Sequence, residues 1–151
     1  KIEEILIQDL PTILKESKKK ILTVCLVPRA KREEFYKAQQ LLFKESLRKV
    51  VTKLISKGYS FEDGIDYIKR IINTKTTHLR QDIGLEPYPG ITKDTCIISS
   101  EVKGKDVLLV DDVYTKTINI DEDAIQALID KGANSVIFYS ICYTIRRYNN
   151  K

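Results

Sequence analysis

Residues 107–119 read Val-Leu-Leu-Val-Asp-Asp-Val-Tyr-Thr-Lys-Thr-Ile-Asn. Val107 to Val110 is an unbroken apolar run, the pattern of a strand covered on both faces in a parallel sheet. The run stops at two carboxylates, Asp111 and Asp112, so a strand is expected over 106–112. A short polar loop follows. Asn119 and Glu122 then form a capping-box signature that opens a helix over 120–131, and Gly132 closes it. A last strand is read at 135–142. Strand, crossover helix and strand in one sheet make a right-handed parallel unit. The expected fold class is therefore α/β, a parallel β-sheet flanked by helices.

Working outward, residues 2–16 carry a helical stripe of Ile5, Leu6, Leu10 and Leu14, with Pro11 expected to kink or interrupt it. Lys18 to Lys20 mark a turn, and Ile21 to Val27 a strand that ends at Pro28. A long helix is expected over 33–57, with Phe35, Ala38, Leu42, Val50, Leu54 and Ile55 on one side and Gly58 as its stop. A second helix is expected over 61–72, capped by Ser60 and Asp63 and buried along Phe61, Ile65, Ile68 and Ile72. Residues 73–94 show no period. Such a loop in a compact domain is functional or mobile. Cys96 to Ser100 read as a short strand and Val102 to Lys105 as a turn. No repeat, linker or low-complexity segment divides the chain, so a single domain is expected.

The 151 residues are 42% hydrophobic and 31% charged, ordinary values for a globular chain. No apolar run approaches the roughly 18 residues of a membrane span, and no secretory segment opens the chain. Cys25, Cys96 and Cys142 sit in strand-like apolar contexts without C-x-x-C spacing. They read as buried reduced thiols in a cytoplasmic protein. There is no methionine, even at position 1, so the expectation is that an N-terminal piece is missing. The net charge of +5 suits a polyanionic small molecule as well as nucleic acid.

Ligands of open parallel sheets bind beyond the carboxyl ends of the strands, and a helix N-terminus there favours phosphate. Two acids beside such a cradle suit a ligand with vicinal hydroxyls and a phosphate, such as a ribose 5-phosphate. Alternation points Asp111 and Asp112 to opposite faces. Two carboxylates ending a buried strand repel each other and need hydroxyls, amides or a metal as partners. Asp121, Glu122 and Asp123 please the helix dipole but repel a phosphate. Arg29, Lys31 and Arg32, after the first strand, place three cations in four residues.

The stretch resembles the phosphoribosyl pyrophosphate loop of the type I phosphoribosyltransferases, nearest the competence-protein-F-like, amidophosphoribosyltransferase-related set. Their pattern is an apolar strand, Asp-Asp-Val-x-Thr-Thr-Gly-x-Thr, then a helix. The match runs from Val107 through Asp111, Asp112, Val113, Tyr114 and Thr115. Lys116 then replaces a threonine, Thr117 the glycine, and Asn119 a threonine. Thr117 is β-branched and disfavours positive φ, so a loop that needs glycine there must take another shape. Lys116 would offer a mobile charge to a phosphate.

The resemblance implies that Asp111 and Asp112 hold the ribose hydroxyls, while Val113, Tyr114, Thr115, Lys116, Thr117, Ile118 and Asn119 carry the phosphate. By chain order alone it implies pyrophosphate contacts from Arg29 and Lys31. A loop that closes over the sugar is implied for the segment holding His78 and Arg80, with Arg80 on the leaving pyrophosphate. The reaction implied is phosphoribosyl transfer from phosphoribosyl pyrophosphate to a nitrogen nucleophile. Mg2+ would arrive with the substrate, near Asp111 or Asp112. The partner is phosphoribosyl pyrophosphate or a nucleotide, and a homodimer is left open.

Three further readings compete. The altered loop suits a catalytically silent nucleotide-sensing module. Lys44, Arg48, Lys49, Lys53 and Lys57 on the long helix would suit nucleic acid, but no aromatic interleaving supports that. A response-regulator receiver also ends a strand in paired acids, but only 40 residues follow Asp111, too few to complete one. Tyr143, Arg146 and Arg147, beyond the last strand, form a polar tail in which Tyr143 would be able to stack on a base.

Overall fold

Four parallel strands in the order β2-β1-β5-β6 form the centre of the computed structural model, which describes residues 1–74, 91–115 and 119–144. The elements are α1 (Ile2–Ser17), β1 (Leu22–Leu26), α2 (Leu42–Ser56), β2 (Phe61–Asp63), β3 (Ile68–Arg70), β4 (Cys96–Ile98), β5 (Asp106–Tyr114), α3 (Ile120–Asp130) and β6 (Ser135–Tyr143). β3 and β4 pair separately as an antiparallel two-stranded sheet.

β5 is the central strand. It pairs with β1 through Leu26↔Val110 and with β6 from Asp106↔Ser135 to Tyr114↔Tyr143. Its apolar run is buried because both faces are covered. Leu108 and Val110 join Leu22, Val24 and the α1 and α2 leucines in one core. Val107 and Leu109 join Cys25, Ala124, Leu128 and the β3–β4 unit in the other. Strand alternation therefore assigns Asp111 to the α3 face and Asp112 to the α2 face.

The α/β class, the parallel sheet and the terminal β5–α3–β6 unit match the sequence reading. α1 runs unbroken through Pro11 rather than being interrupted by it.

The helix expected over 61–72 does not form. Phe61–Asp63 pairs with β1 in parallel, Gly64 turns the chain, and Ile68–Arg70 starts the small sheet. Phe61, Ile65 and Ile68 are indeed buried, but Ile72 is 45% exposed. Asp63 caps no helix. Its Oδ1 accepts from Ile65 N at 3.0 Å, and its Oδ2 from Arg48. A three-residue edge strand and a helical stripe share these spacings, and the open edge of β1 decided between them.

The long helix is also shorter than expected. It begins at Leu42, and residues 33–41 form two 3-10 turns, Glu33–Phe35 and Ala38–Leu41. Phe35 is 55% exposed and Leu42 and Ile55 are exposed too, so the buried stripe of α2 is Leu47, Val50, Val51 and Leu54. Local side-chain bonds hold the 3-10 segment: Lys37 N donates to Gln40 Oε1 at 2.9 Å, and Lys31 N to the Tyr36 hydroxyl at 2.9 Å. Cys25 and Cys96 are buried thiols, but Cys142 is exposed. No helix among the described residues is long and apolar enough to cross a membrane.

Candidate functional site

From β1 the chain leaves to β2 on one side and later returns to β5 on the other, which makes the β1/β5 boundary the point where strand order reverses. A cleft opens at the carboxyl ends of a parallel sheet at such a point. The structure has one there, of about 250 Å³, lined by Leu26, Val27, Arg29, Lys31, Asp111 and Asp112 among others. The acid pair and the basic loop, 80 residues apart in sequence, thus share one cavity because β1 and β5 are hydrogen-bonded neighbours. Val27 N donates to Val110 O at 3.0 Å, immediately below.

Asp111 and Asp112 both reach the cleft but differ in surroundings. Each accepts a hydrogen bond from the next backbone N–H: Asp112 N to Asp111 Oδ1 and Val113 N to Asp112 Oδ1, both at 2.8 Å. Asp111 also meets Asp121 of α3. Burial first, then the hydrogen bond with Asp121 and the charges of Asp121 and Asp112, push the Asp111 carboxyl far above the usual carboxylate range. Burial and the charges of Glu122 and Asp112 also raise Asp121, while its hydrogen bond with Asp111 opposes the rise.

Asp121 is 4% exposed, and its Oδ1 has no hydrogen-bond partner among the described residues. Both carboxyl pKa values are raised, and their mutual contact raises Asp111 but lowers Asp121, which favours the proton on Asp111. Asp123 has a second buried oxygen, Oδ2, without a donor among the described residues. Sequence reading missed Asp121 as part of the site. Its signal was the three-acid first turn, which looks like ordinary dipole stabilisation.

The expected capping box at Asn119 is absent. Asn119 makes no side-chain cap, and Glu122 instead accepts from the Tyr114 hydroxyl at 2.6 Å. Val113 and Tyr114 lie within β5 rather than in a loop, and the Tyr114 ring packs edge-on against Phe138. Thr115 shares a hydroxyl contact with Thr144 at 3.2 Å. Lys116, Thr117 and Ile118 lie outside the described residues, as do His78, Arg80, Arg146 and Arg147. Tyr143 ends β6 and is exposed.

On the basic side, Arg29 stacks over Tyr36 at 4.8 Å and its Nη1 donates to Gln40 O at 3.2 Å. Lys44 bridges Glu33 at 2.6 Å and Asp66 at 2.7 Å, and Arg48 holds Asp63 at 2.8 Å and Asp66 at 2.5 Å. Two of the five cations that suggested a nucleic-acid face are therefore committed to acids. Tyr36 and Arg70 line the cleft as well. They escaped the sequence reading because both fell inside segments read as helix.

No group of three His, Cys, Asp or Glu side chains among the described residues could cage a metal ion. Magnesium rarely needs such a cage, since one or two carboxylates plus substrate phosphates suffice. Asp112 offers the hard oxygen donors that fit it.

No protein-family model matches the chain, and no curated protein matches its sequence. Solved structures do match in shape. A hypoxanthine phosphoribosyltransferase from Staphylococcus aureus superposes with a TM-score of 0.51 at 13% identity, over 95% of this chain and 64% of that one. The fold is phosphoribosyltransferase-like. A hypoxanthine-guanine phosphoribosyltransferase from Schistosoma mansoni, in complex with IMP, gives 0.46 at 15% identity over 94% of this chain and 54% of that one. The chain thus spans less than two thirds of the length of these phosphoribosyltransferases. At such identities the likeness concerns the fold alone, and the chemistry of the cleft rests on its own residues.

Proposed function

We propose that the cleft binds a phosphorylated ribose, as phosphoribosyl pyrophosphate or a nucleoside monophosphate, and that the protein transfers the phosphoribosyl group to a nitrogen nucleophile. One observation carries this reading. The strand-order reversal unites an acid pair, Asp111 and Asp112, with Arg29 and Lys31 in a single cavity. Carboxyl groups match ribose hydroxyls and cations match a diphosphate, so the cavity carries both halves of the donor's recognition chemistry.

In the reaction the nucleophile's lone pair forms the bond to the anomeric carbon. The carbon–oxygen bond to pyrophosphate breaks, its electron pair leaves with the pyrophosphate, and the nucleophile gives up its proton. The transition state is cation-like at carbon and anionic at the leaving group. Asp112 and Asp111 orient the sugar, and Arg29, Lys31 and Arg80 offset the charge gathered by pyrophosphate. Magnesium, entering with the diphosphate, would neutralise part of that same charge, and Asp112 is a residue that would help hold it. No covalent nucleophile is required.

A second reading, binding without turnover, is favoured by the carboxyl pair of Asp111 and Asp121 at the junction that carries the altered loop. Buried acids there oppose a phosphate, and Thr117 replaces the family's glycine. Titration with magnesium and phosphoribosyl pyrophosphate tests both readings, and no binding at any accessible concentration removes them together. Pyrophosphate release with purine and pyrimidine acceptors separates them: release supports transfer, and tight binding without release supports the silent module.

A further inference from the structure

β6 ends the strand order β2-β1-β5-β6, and no strand among the described residues pairs with its outer edge. Its nine residues, Ser-Val-Ile-Phe-Tyr-Ser-Ile-Cys-Tyr, include no charge, proline or glycine. None of them is fully buried, whereas Val107 to Val110 of the neighbouring strand all are. A long, uncharged edge is a template for another strand, because every second residue turns its N–H and C=O groups outward. The opposite edge of the sheet differs. β2 has three residues, and two of them, Glu62 and Asp63, are acids paired with Lys105 and Arg48. Shortness and charge blunt an edge, so β6 is the edge left open to pairing.

The apolar surface continues from β6 onto both helical layers. The Tyr139 hydroxyl donates to Asp9 of α1 at 2.6 Å, so the face of α1 turned to β6 is the one carrying Asp9. Ile2, two helical turns earlier on that face, is exposed. On the other layer, Gln126, Ala127 and Asp130 of α3 line a groove against β4. Ile125 and Ile129 lie on the flank away from that groove, and Ile129 is exposed.

Strand alternation says what fits this edge. Ile137, Tyr139 and Ile141 pack on the core beneath α1 and α2, and Val136 and Phe138 on the core beneath α3. A matching strand is therefore apolar on both faces, which is the composition of β6 itself. A two-fold axis through the sheet keeps like faces together. Of the antiparallel registers it allows, the one that uses the whole strand sets Tyr139 against itself. Val136 then meets the partner's Cys142, Ile137 the partner's Ile141 and Phe138 the partner's Ser140.

We propose that β6 pairs antiparallel with β6 of a second copy of this chain, joining two four-stranded sheets into one closed dimer. The pairing consumes the open edge of each copy, so assembly stops at two. No residue of β6 lines the cleft, so the dimer leaves it accessible and the inference stands apart from the function proposed above.

Analytical ultracentrifugation of the intact chain, of Cys142→Lys/Tyr143→Lys and of Val136→Cys tests this. Cys142 and Tyr143 are exposed, so the paired lysines leave the fold intact, which circular dichroism checks. The parent is expected to be a dimer at micromolar concentration, and the lysines to weaken it about tenfold or more by charging the edge. With oxidised glutathione, Val136→Cys is expected to form a disulfide to the partner's Cys142, read as a reducible dimer band that appears several-fold faster than in the parent. Within one strand the two positions lie roughly 20 Å apart, too far to bridge. A parent that stays monomeric at every concentration leaves the edge to a different chain and overturns the proposal. So does a dimer that the lysines leave undiminished, or one that Val136→Cys cross-links no faster than the parent. Should the lysine variant fail to fold, the cross-link decides.

Discussion

Asp111, at the carboxyl end of β5, meets the carboxyl of Asp121 in the first turn of α3, and that contact with burial raises the Asp111 pKa. The contact joins the strand that carries the acid pair to the helix whose N-terminus would face a phosphate. Two ionised carboxyls in such contact repel each other, so the pair favours holding a proton.

Asp111→Asn is expected to stabilise the protein at pH 8 and change little at pH 4. The unfolded carboxyl has a pKa of about 3.9, and the folded one is raised by burial and by Asp121. Above pH 4 the folded state therefore binds more protons than the unfolded one, and stability falls as pH rises. Below pH 4 the contribution is fully present. Asparagine keeps an N–H donor for Asp121 and has no proton to lose, which makes a gain of about 1–2 kcal/mol at pH 8 reasonable. Denaturant titrations at both pH values check this, and an equal effect at both would remove the raised pKa of Asp111.

Replacing Lys116 by Thr and Thr117 by Gly together is expected to raise affinity for phosphoribosyl pyrophosphate. Glycine restores access to positive φ and lets the backbone approach a phosphate without a Cβ. A titration showing no gain would count against the loop assignment.

Gly64→Ala is expected to destabilise by about 1–3 kcal/mol, the usual cost of overpacking. A Cβ there would lie 2.7 Å from both Thr23 Cγ2 and Tyr67 Cδ2. The glycine is needed for close packing rather than for an unusual φ. Thermal melting reads the effect, and an unchanged midpoint would mean that the Tyr67 ring yields freely.

Asp66→Asn should cost no more than about 1 kcal/mol at pH 7, since the network is solvent-screened. Burial pushes the Asp66 carboxyl up, but the hydrogen bonds and charges of Lys44 and Arg48 outweigh it and hold the pKa below the usual range. Its contribution is therefore present above pH 4 and lost as pH falls through the folded value. The difference between parent and variant should vanish near pH 2. A difference that persists in acid would assign the loss to packing.

The strand ending in Asp111 and Asp112 was legible because four consecutive apolar residues between polar turns fit a doubly covered strand and little else. The α3–β6 unit was legible because its helical stripe, its closing Gly132 and the apolar run after it fall in an unambiguous order. Arg29 and Lys31 were placed by chain order, and the cleft brings them beside the acids. The failures share one cause. Phe61, Ile65 and Ile68 fit a helix as well as they fit two short strands around Gly64, and Phe35 and Leu42 look like core until the 3-10 segment places them at the surface. Tyr36 and Arg70 were lost with those segments.

The parallel α/β class, the central strand and the acids at its end were written in the order of residues, because periodicity and an apolar run are properties of the chain alone. Folding in three dimensions settled which face each aspartate takes, that Asp121 meets Asp111, and that Arg70 comes to the cleft. Those facts depend on burial and on contacts between residues distant in sequence, and desolvation and charge–charge energies exist only once the chain has closed around them.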